Sequence, residues 1–255
     1  MIDVHLELET GMNRVGIAPE NALEFADYIR NASNLKLTGL MTHFAVADEP
    51  ESDAFTARQL RLFEDTLGML EADGHQFEFI HVANTAAAWR FPNARHTHVR
   101  LGLGLYGLFP SSSVPVQALK TQEALRFRTR VIQVKTISEH DSVSYGRTWV
   151  AEGPRTIATI AVGYNDGFPR FMSNGGEVLI HGQRCPVVGK VCMDVTMVDV
   201  SHLEDVREAD EVVLFGNQGD GYISVNELAT RGNTISYEIL CNISARVQRV
   251  FERSN

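Results

Sequence analysis

The sequence contains only three cysteines, Cys185, Cys192 and Cys241, and no two of them have the spacing of a CxxC motif. An odd and scattered set of this kind excludes a disulfide framework and a thiolate metal site. Free thiols are typical of a reducing compartment. We therefore expect no disulfide and no bound metal.

Positive charge and long apolar runs are also scarce. Lysine and arginine total 23 against 32 aspartates and glutamates, which gives a net charge of −9. This charge repels nucleic acid backbones and anionic lipid surfaces, so neither is an expected partner. The longest strongly apolar stretch, residues 101–109, is too short to cross a bilayer, and no leader-like segment opens the chain. These absences predict a cytoplasmic protein.

The first 110 residues alternate short runs of β-type periodicity with longer runs of helical periodicity. The predicted strands and helices are residues 4–8 and 20–30, 37–44 and 53–71, 77–83 and 85–89, and a last strand at 99–103. Such a series predicts a parallel sheet covered by helices. Four units are half of a (β/α)8 TIM-type barrel, and the first strand has an uncovered edge. We therefore expect residues 1–110 to be the carboxy-terminal half of a barrel whose first half is absent.

The second part of the chain is richer in strands. Leu125 and Phe127 share one phase of alternation, whereas Ile132 and Val134 take the opposite phase, which predicts a bulge. Further strands are predicted at residues 157–162, 177–180, 187–200 and 211–215, and short helices at 224–230 and 235–244. The predicted fold is α/β plus all-β: a half barrel, a linker over residues 111–122, and a mostly antiparallel β domain over residues 123–255.

The loops after the last two predicted barrel strands are candidates for a phosphate site, because such loops bind phosphate in many barrels. They contain Asn84 and Thr85, and Gly102 and Leu103. A hydroxyl, close backbone N–H groups and a helix amino-terminus all suit a dianion. Alternatively, Thr85 is only a helix cap and LGLGLYG only a packed strand.

A series of short runs makes a stronger signal than any of these loops. The runs are TGMNRVG (residues 10–16), GLMTHFAVADE (39–49), HVANTAA (81–87), VRLGLGLYG (99–107), VSYGRTW (143–149), VGYNDGFPR (162–170), VGKVCMD (188–194) and SYE (236–238). In this order they resemble alanine racemase, an isomerase of fold type III, over its carboxy-terminal two-thirds.

The resemblance implies pyridoxal phosphate (PLP) as cofactor and alanine or another small amino acid as substrate. It implies a homodimer in which the barrel of one subunit meets the β domain of the other. The implied reaction interconverts L- and D-alanine through a PLP imine and supplies D-alanine for peptidoglycan. In such a reaction the cofactor is an electron sink for the Cα carbanion.

The same resemblance assigns the catalytic residues. Tyr145 matches the tyrosine that transfers a proton on one face of the substrate, opposite the cofactor-bearing lysine. His43 and Arg100 match its neighbouring chain, which must stabilise phenolate because a phenol near pKa 10 is a poor base. Arg100 also matches the arginine that faces the pyridine nitrogen and, as a donor only, keeps it unprotonated. Taken singly, Tyr145 could be a surface aromatic, His43 a core histidine and Arg100 a rim ion pair.

Other residues match supporting positions. Arg14 matches an arginine that contacts cofactor and substrate, and Met193, next to Asp194, lies where the partner's backbone meets the substrate carboxylate. Tyr237 matches a tyrosine near the phosphate, and Tyr164 one that lines the opening. The phosphate loops of the family match Asn84, Thr85, Gly102 and Leu103.

Two departures from the family pattern stand out. Glu7 replaces a lysine that often carries a carbamate, so we predict a charge-assisted pair between Glu7 and Arg14. The cofactor-bearing lysine has no match, since the only lysines are Lys36, Lys120, Lys135 and Lys190.

These departures predict a fragment that lacks the amino-terminal part with the PLP lysine and is inactive alone. The alternatives are a non-catalytic half that complements another chain, and a racemase of serine or of broad specificity. A PLP decarboxylase with the same barrel fits less well, because VSYG and VCMD would not be expected together.

Overall fold

The structure is a computed structural model that describes residues 1–110 and 121–252. The chain divides into two compact units, Met1–Ala124 and Leu125–Asn255, called here the barrel unit and the β unit. Within the described ranges, no helix has both the length and the apolar character needed to cross a membrane.

The barrel unit alternates strands and helices. Its elements are β1 (Ile2–Glu7), α1 (Ala22–Asn31), β2 (Leu35–Met41), α2 (Asp53–Ala72), β3 (Phe79–His81) and α3 (Thr85–Arg90). The strands form a parallel sheet in the order β1-β2-β3. Because parallel strands share their direction, their carboxyl ends lie at one edge, called here the carboxyl edge.

Helix periodicity places one face of each long helix in the core of the barrel unit. Ala22, Ala26 and Ile29 are buried on α1, and the same spacing buries Phe63 and Leu70 on α2. Each large buried side chain stabilises the fold by about 1.5–3 kcal/mol. This packing fixes the helices and the loops that precede them against the sheet.

The predicted fourth strand at residues 99–103 is wrong. The chain turns at Gly102, with φ −104° and ψ −94°, and continues as a 3-10 helix over Leu103–Tyr106. Gly107, at φ 73°, ends that helix in a left-handed conformation that glycine adopts without strain. The apolar run LGLGLYG therefore forms a glycine-rich turn and not a packed strand.

The two long helices are joined by a charged cluster. Asp27 on α1, and Asp73 and His75 beyond α2, bring their ligand-type atoms within 4.8 Å of one another. Arg30 lies 2.5 Å from the Asp27 carboxylate and 3.4 Å from that of Asp73. Because the guanidinium already pairs with both carboxylates, we interpret this group as an ion-pair cluster and not as a metal site.

The β unit is built on a seven-stranded sheet. Its elements are β4 (Phe127–Ile137), β5 (Ser142–Val143), β6 (Trp149–Val150), β7 (Arg155–Ile160), β8 (Glu177–Ile180), β9 (Gln183–Pro186), β10 (Thr196–Asp199), β11 (Glu211–Gln218), β12 (Gly221–Ile223), α4 (Val225–Arg231) and α5 (Ser236–Cys241). The sheet order is β10-β7-β4-β11-β8-β9, with β12 on β11, and β5 pairs separately with β6. All these pairings are antiparallel.

The predicted bulge is confirmed, because the register of β4 against β7 shifts between Val131 and Gln133. The predicted strand at residues 187–200 is too long, since β10 begins only at Thr196. Residues 187–195 form a loop that turns at Gly189, where φ is 74°. That loop carries Cys192, Met193 and Asp194.

Candidate active site

The carboxyl edge of the three-stranded sheet collects the polar residues of the barrel unit. Glu7 ends β1, His81 ends β3, and His43 follows β2 by two residues. The fully buried Gln59 of α2 fixes the loop of His43: its amide donates to the His43 carbonyl at 3.2 Å and accepts from Ala45 N–H at 3.1 Å.

Arg100 lies at the centre of this edge and contacts the ends of two strands. Its Nη1 donates to His81 Nδ1 at 2.7 Å and to the His81 carbonyl at 2.5 Å. Its Nη2 donates to the Thr42 carbonyl at 2.8 Å and to His43 Nδ1 at 3.1 Å. The guanidinium has five N–H groups. Nε–H is the only one without an acceptor among the described residues.

These bonds determine the protonation of both histidines. Arginine can only donate, so the Nδ1 atoms of His43 and His81 must accept, and each neutral ring carries its proton on Nε2. His81 Nε2 then donates to His5 Nδ1 at 2.8 Å. Gly39 makes room for the His5 ring, since a Cβ there would lie 2.5 Å from it. Arg100 is thus flanked by two neutral imidazoles.

Electrostatics favours the same neutral state. Burial, and then the charge of Arg100, lower the pKa of both His43 and His81 to about 4. Burial also lowers the pKa of Arg100, and Arg14 adds to this while Glu7 opposes it. The arginine stays protonated because its ordinary pKa is so high.

We expect both imidazoles to remain neutral at pH 5.5 and to bind protons only near pH 4. Because the unfolded rings titrate near 6.5, the folded state binds fewer protons between pH 6.5 and pH 4, so stability falls as pH falls through that window. The expected loss is about 3 kcal/mol for the two rings together, after solvent screening. Long-range 1H–15N NMR of the rings measures both the charge and the tautomer.

The variant Arg100→Gln is the control for this titration, because it removes the positive charge and should raise both pKa values. Protonation of His43 or His81 above pH 6 in the unaltered protein would contradict the network.

The predicted phosphate loops do converge. Thr85 Oγ1 accepts from Gly102 N–H at 3.0 Å and more weakly from Gly104 N–H at 3.4 Å. The cap of α3 is Asn84, whose Oδ1 accepts from Ala87 N–H, and not Thr85. Leu103 is buried beside this turn. Thr85 thus ties the two loops together, and its own hydroxyl proton has no acceptor among the described residues.

The predicted pair of Glu7 and Arg14 is not present: no ion pair joins them within 4.0 Å, and Arg14 is exposed. Glu7 acts electrostatically on Arg100 instead. The loop that carries Arg14 is held by Glu9, whose carboxylate accepts from Gly11 N–H at 2.5 Å. Burial raises the pKa of Glu9, but the backbone N–H groups of residues 11–14 lower it by more, so the net shift is downward.

In the β unit, the loops of Tyr164 and Met193 lie together. Tyr164 N–H donates to the Cys192 carbonyl and Asn165 N–H to that of Met193, both at 3.0 Å. The side chains of Met193 and Tyr164 are 53% and 43% exposed, so both are open to a ligand. Tyr145 is 72% exposed.

Arg246 bridges these two loops. Its Nε lies 2.9 Å from Asp166 and its Nη1 lies 3.0 Å from Asp194. Asp166 is buried and also accepts from Gly163 N–H at 2.9 Å. Asp194 thus supports its loop through Arg246. Of the other predicted residues, Tyr237 lies on α5 and its side chain is partly exposed.

Several of these supporting residues were not predicted. His81 lay within the run HVANTAA, and its place at the end of a strand, like that of His43, was a usable signal. Gln59, Glu9 and Arg246 had no signal of their own, because their partners are set by tertiary contacts.

Comparison with known proteins decides the family. The profile "Alanine racemase, N-terminal domain" matches residues 1–110, and "Alanine racemase, C-terminal domain" matches residues 124–251. The chain belongs to the alanine racemase family. Its relatives include the alanine racemase of Halothermothrix orenii, 41% identical over 249 residues, and alanine racemase 2 of Bacillus subtilis, 40% identical over 253 residues. Each match covers 98% of this chain and 65% or 64% of the relative.

Solved structures agree. The crystal structure of alanine racemase from Bacillus anthracis with bound L-Ala-P is 38% identical, with a TM-score of 0.92 over 99% of this chain and 65% of that one. The alanine racemase of Streptomyces coelicolor is 32% identical, with a TM-score of 0.91, covering 99% of this chain and 67% of that one. The chain thus spans about two-thirds of the length of the curated relatives it matches.

The domain matches correct one expectation. The profile of the amino-terminal domain matches from residue 1, so the statement that the amino-terminal part of the family is lacking is wrong at the level of domains. The half barrel is not confirmed either, since the described residues form three parallel strands. Among the described lysines, Lys36 lies near the start of β2, away from the carboxyl edge, and Lys135 and Lys190 lie in the β unit.

Proposed function

We propose that this chain contributes the residues named above to a PLP-dependent racemase. The enzyme interconverts L- and D-alanine and supplies D-alanine for the cell wall. The observation that carries this proposal is the position of Arg100: it donates to two neutral histidines, and its Nε–H has no acceptor among the described residues. Such a group suits an aromatic nitrogen that must accept a hydrogen bond without being protonated.

The residues at the carboxyl edge offer hydrogen-bond donors that suit the two ends of pyridoxal phosphate, its ring nitrogen and its phosphate. The free Nε–H of Arg100 suits the ring nitrogen. The free hydroxyl proton of Thr85, beside the backbone of Gly102, suits a phosphate oxygen. No described lysine lies at this edge, so these two contacts are the ones that we propose for the chain.

The bound cofactor would supply an electron sink for the carbanion formed at the amino acid Cα. Tyr145 would then hold or release the proton on one face of the substrate, and His43 would stabilise the deprotonated phenol through its Nε2–H. Arg14 and the backbone at Met193 would bind the substrate carboxylate. Tyr145 and Met193 would come from the β unit of a second copy, as in a homodimer, and Tyr164 would line the opening.

Binding of PLP to this chain tests the phosphate contact. We expect Thr85→Val to weaken PLP binding about tenfold, because one charge-assisted hydrogen bond is lost, and to leave the binding of pyridoxal, which has no phosphate, unchanged. Equilibrium dialysis with absorbance detection measures both affinities.

Thr66→Val is the matched control, since Thr66 is also buried but bonds only the Leu62 carbonyl within α2. Equal PLP affinity in the Thr85 and Thr66 variants would remove Thr85 from the phosphate site.

Catalysis is tested in a chimera. In it, these 255 residues replace the matching 64% of the Bacillus subtilis relative, and the remainder of that relative is retained. L-Alanine and L-serine are offered in parallel. Conversion of L-alanine supports the proposal. Faster conversion of L-serine would show that serine, and not alanine, is the preferred substrate.

A further inference from the structure

The backbone of Ser144 has an unusual conformation. Its φ is 67° and its ψ is −176°, a combination that is essentially restricted to glycine. Ser144 directly precedes Tyr145, which opens a tight turn over Tyr145–Arg147 in which Gly146 and Arg147 also have positive φ, 75° and 49°. The two torsion angles therefore set the direction in which the chain, and with it the tyrosine, leaves β5.

Contacts with a second loop maintain this conformation. The Ser144 hydroxyl donates to the Lys190 carbonyl at 2.6 Å and lies 3.5 Å from Cys192 Sγ. Gly189 packs directly against the same segment, since a Cβ there would lie 2.6 Å from the Val143 carbonyl and 2.7 Å from Ser144 Cβ. The loop of Met193 and the segment of Tyr145 are thus locked to each other.

A strained serine at this place needs a reason, because glycine would adopt the same angles without strain. Glycine would also adopt many others, and would leave the next residue free to point in several directions. A serine whose hydroxyl is bound in the strained state has one conformation there. Strain that is maintained by specific contacts is a known feature of residues that position reacting groups.

We propose that Ser144 is a positioning residue, whose hydroxyl bond to Lys190 holds a glycine-like backbone and thereby directs Tyr145. Its role in racemisation rests on the proposed function, but the geometry can be tested without cofactor or substrate. If the hydroxyl served stability alone, its removal would lower the melting temperature and leave the position of Tyr145 unchanged.

The test compares Ser144→Ala with Ser144→Gly in the full chain. Both lose the hydroxyl, but only alanine retains the strain. We expect Ser144→Ala to melt about 3–6 °C below Ser144→Gly. With ring-labelled tyrosines, and the Tyr145 signal assigned through Tyr145→Phe, we expect the NMR signal of Tyr145 to shift or split in the alanine variant and to broaden in the glycine variant, because glycine retains the native angles only as one of several conformations.

Ser142 in β5 provides the matched control. It lies in an extended strand, and its hydroxyl, which accepts from Arg147 Nε–H at 2.9 Å, is lost in both variants, so Ser142→Gly should melt below Ser142→Ala, which is the reverse order. Equal melting temperatures for the two Ser144 variants, or an unshifted Tyr145 signal in Ser144→Ala, would overturn the proposal. If the alanine variant does not fold, an unchanged and sharp Tyr145 signal in Ser144→Gly would overturn it, because the hydroxyl would then not be needed to direct Tyr145, and a broadened or shifted signal would support it. An inactive chimera would leave these results standing and would count only against the racemase function.

Discussion

Replacing Tyr145 by phenylalanine is expected to lower the kcat of the chimera for L-alanine at least 100-fold. The substitution removes only the phenol oxygen, and proton transfer by a positioned side chain contributes about 10²–10⁴-fold to catalysis. Tyr145 is 72% exposed and its hydroxyl has no acceptor among the described residues, so the loss of fold stability should be small. Activity, and not stability, should report its role.

Tyr28→Phe is the matched control, because Tyr28 is also 72% exposed and lies on the outer face of α1. Formation of D-alanine is measured by chiral chromatography, and loss of the Cα proton in D2O by 1H NMR. With one of the two bases removed, the Cα proton of one enantiomer should still exchange with D2O, whereas the conversion of L-alanine to D-alanine should fail. Equal kcat values for the two phenylalanine variants would rule out Tyr145 as a base.

Replacing Arg100 by alanine is expected to lower the free energy of unfolding of the barrel unit by about 3–5 kcal/mol. The substitution leaves the carbonyls of Thr42 and His81 and two imidazole nitrogens without their donor. Each buried acceptor left unpaired costs about 1–3 kcal/mol, which water entering the vacated space reduces. Arg100→Lys should lose less, because it keeps the charge but not the planar fork.

Urea denaturation measures this loss, and tryptophan fluorescence assigns it to one unit. Trp89 lies in the barrel unit and Trp149 in the β unit, so a Trp149→Phe background reports the barrel unit alone. Arg61→Ala on the exposed side of α2 is the control and should stay within about 0.5 kcal/mol of the parent. If Arg100→Ala also lost no more than about 0.5 kcal/mol of unfolding free energy, the hydrogen bonds of Arg100 would not hold the strand ends together.

Local periodicity predicted much of the fold. The three βα pairs of the barrel unit follow from alternation in the strands and from a spacing of three and four in the helices. Phe127 and Ile132 belong to opposite phases of the apolar alternation, which predicted the bulge in β4. Successive side chains of a strand face opposite sides of the sheet, so a change of phase requires one extra residue in the strand. The strand predicted at residues 99–103 failed because three glycines allow turns that apolar character alone does not reveal.

The site was predicted less completely. Motifs identified Arg100, His43 and Thr85, and parallel topology brings these residues to one edge. The partners of a long side chain depend on tertiary geometry, so the sequence could not reveal that Arg100 pairs with His81. For the same reason the pair of Glu7 and Arg14 was wrong. It was predicted because Glu7 stands where the family often has a carbamate-bearing lysine, whereas the charge of Glu7 acts on Arg100. Strain at Ser144 had no sequence signal, since its neighbours VSYG read as an ordinary strand and turn.

The measurement that tests the central claim most directly is the formation of D-alanine from L-alanine by the chimera in the presence of PLP. We predict conversion to equal amounts of the two enantiomers, since they have the same free energy in water. A folded chimera that binds PLP and forms no D-alanine, under conditions in which the Bacillus subtilis relative does, would contradict it.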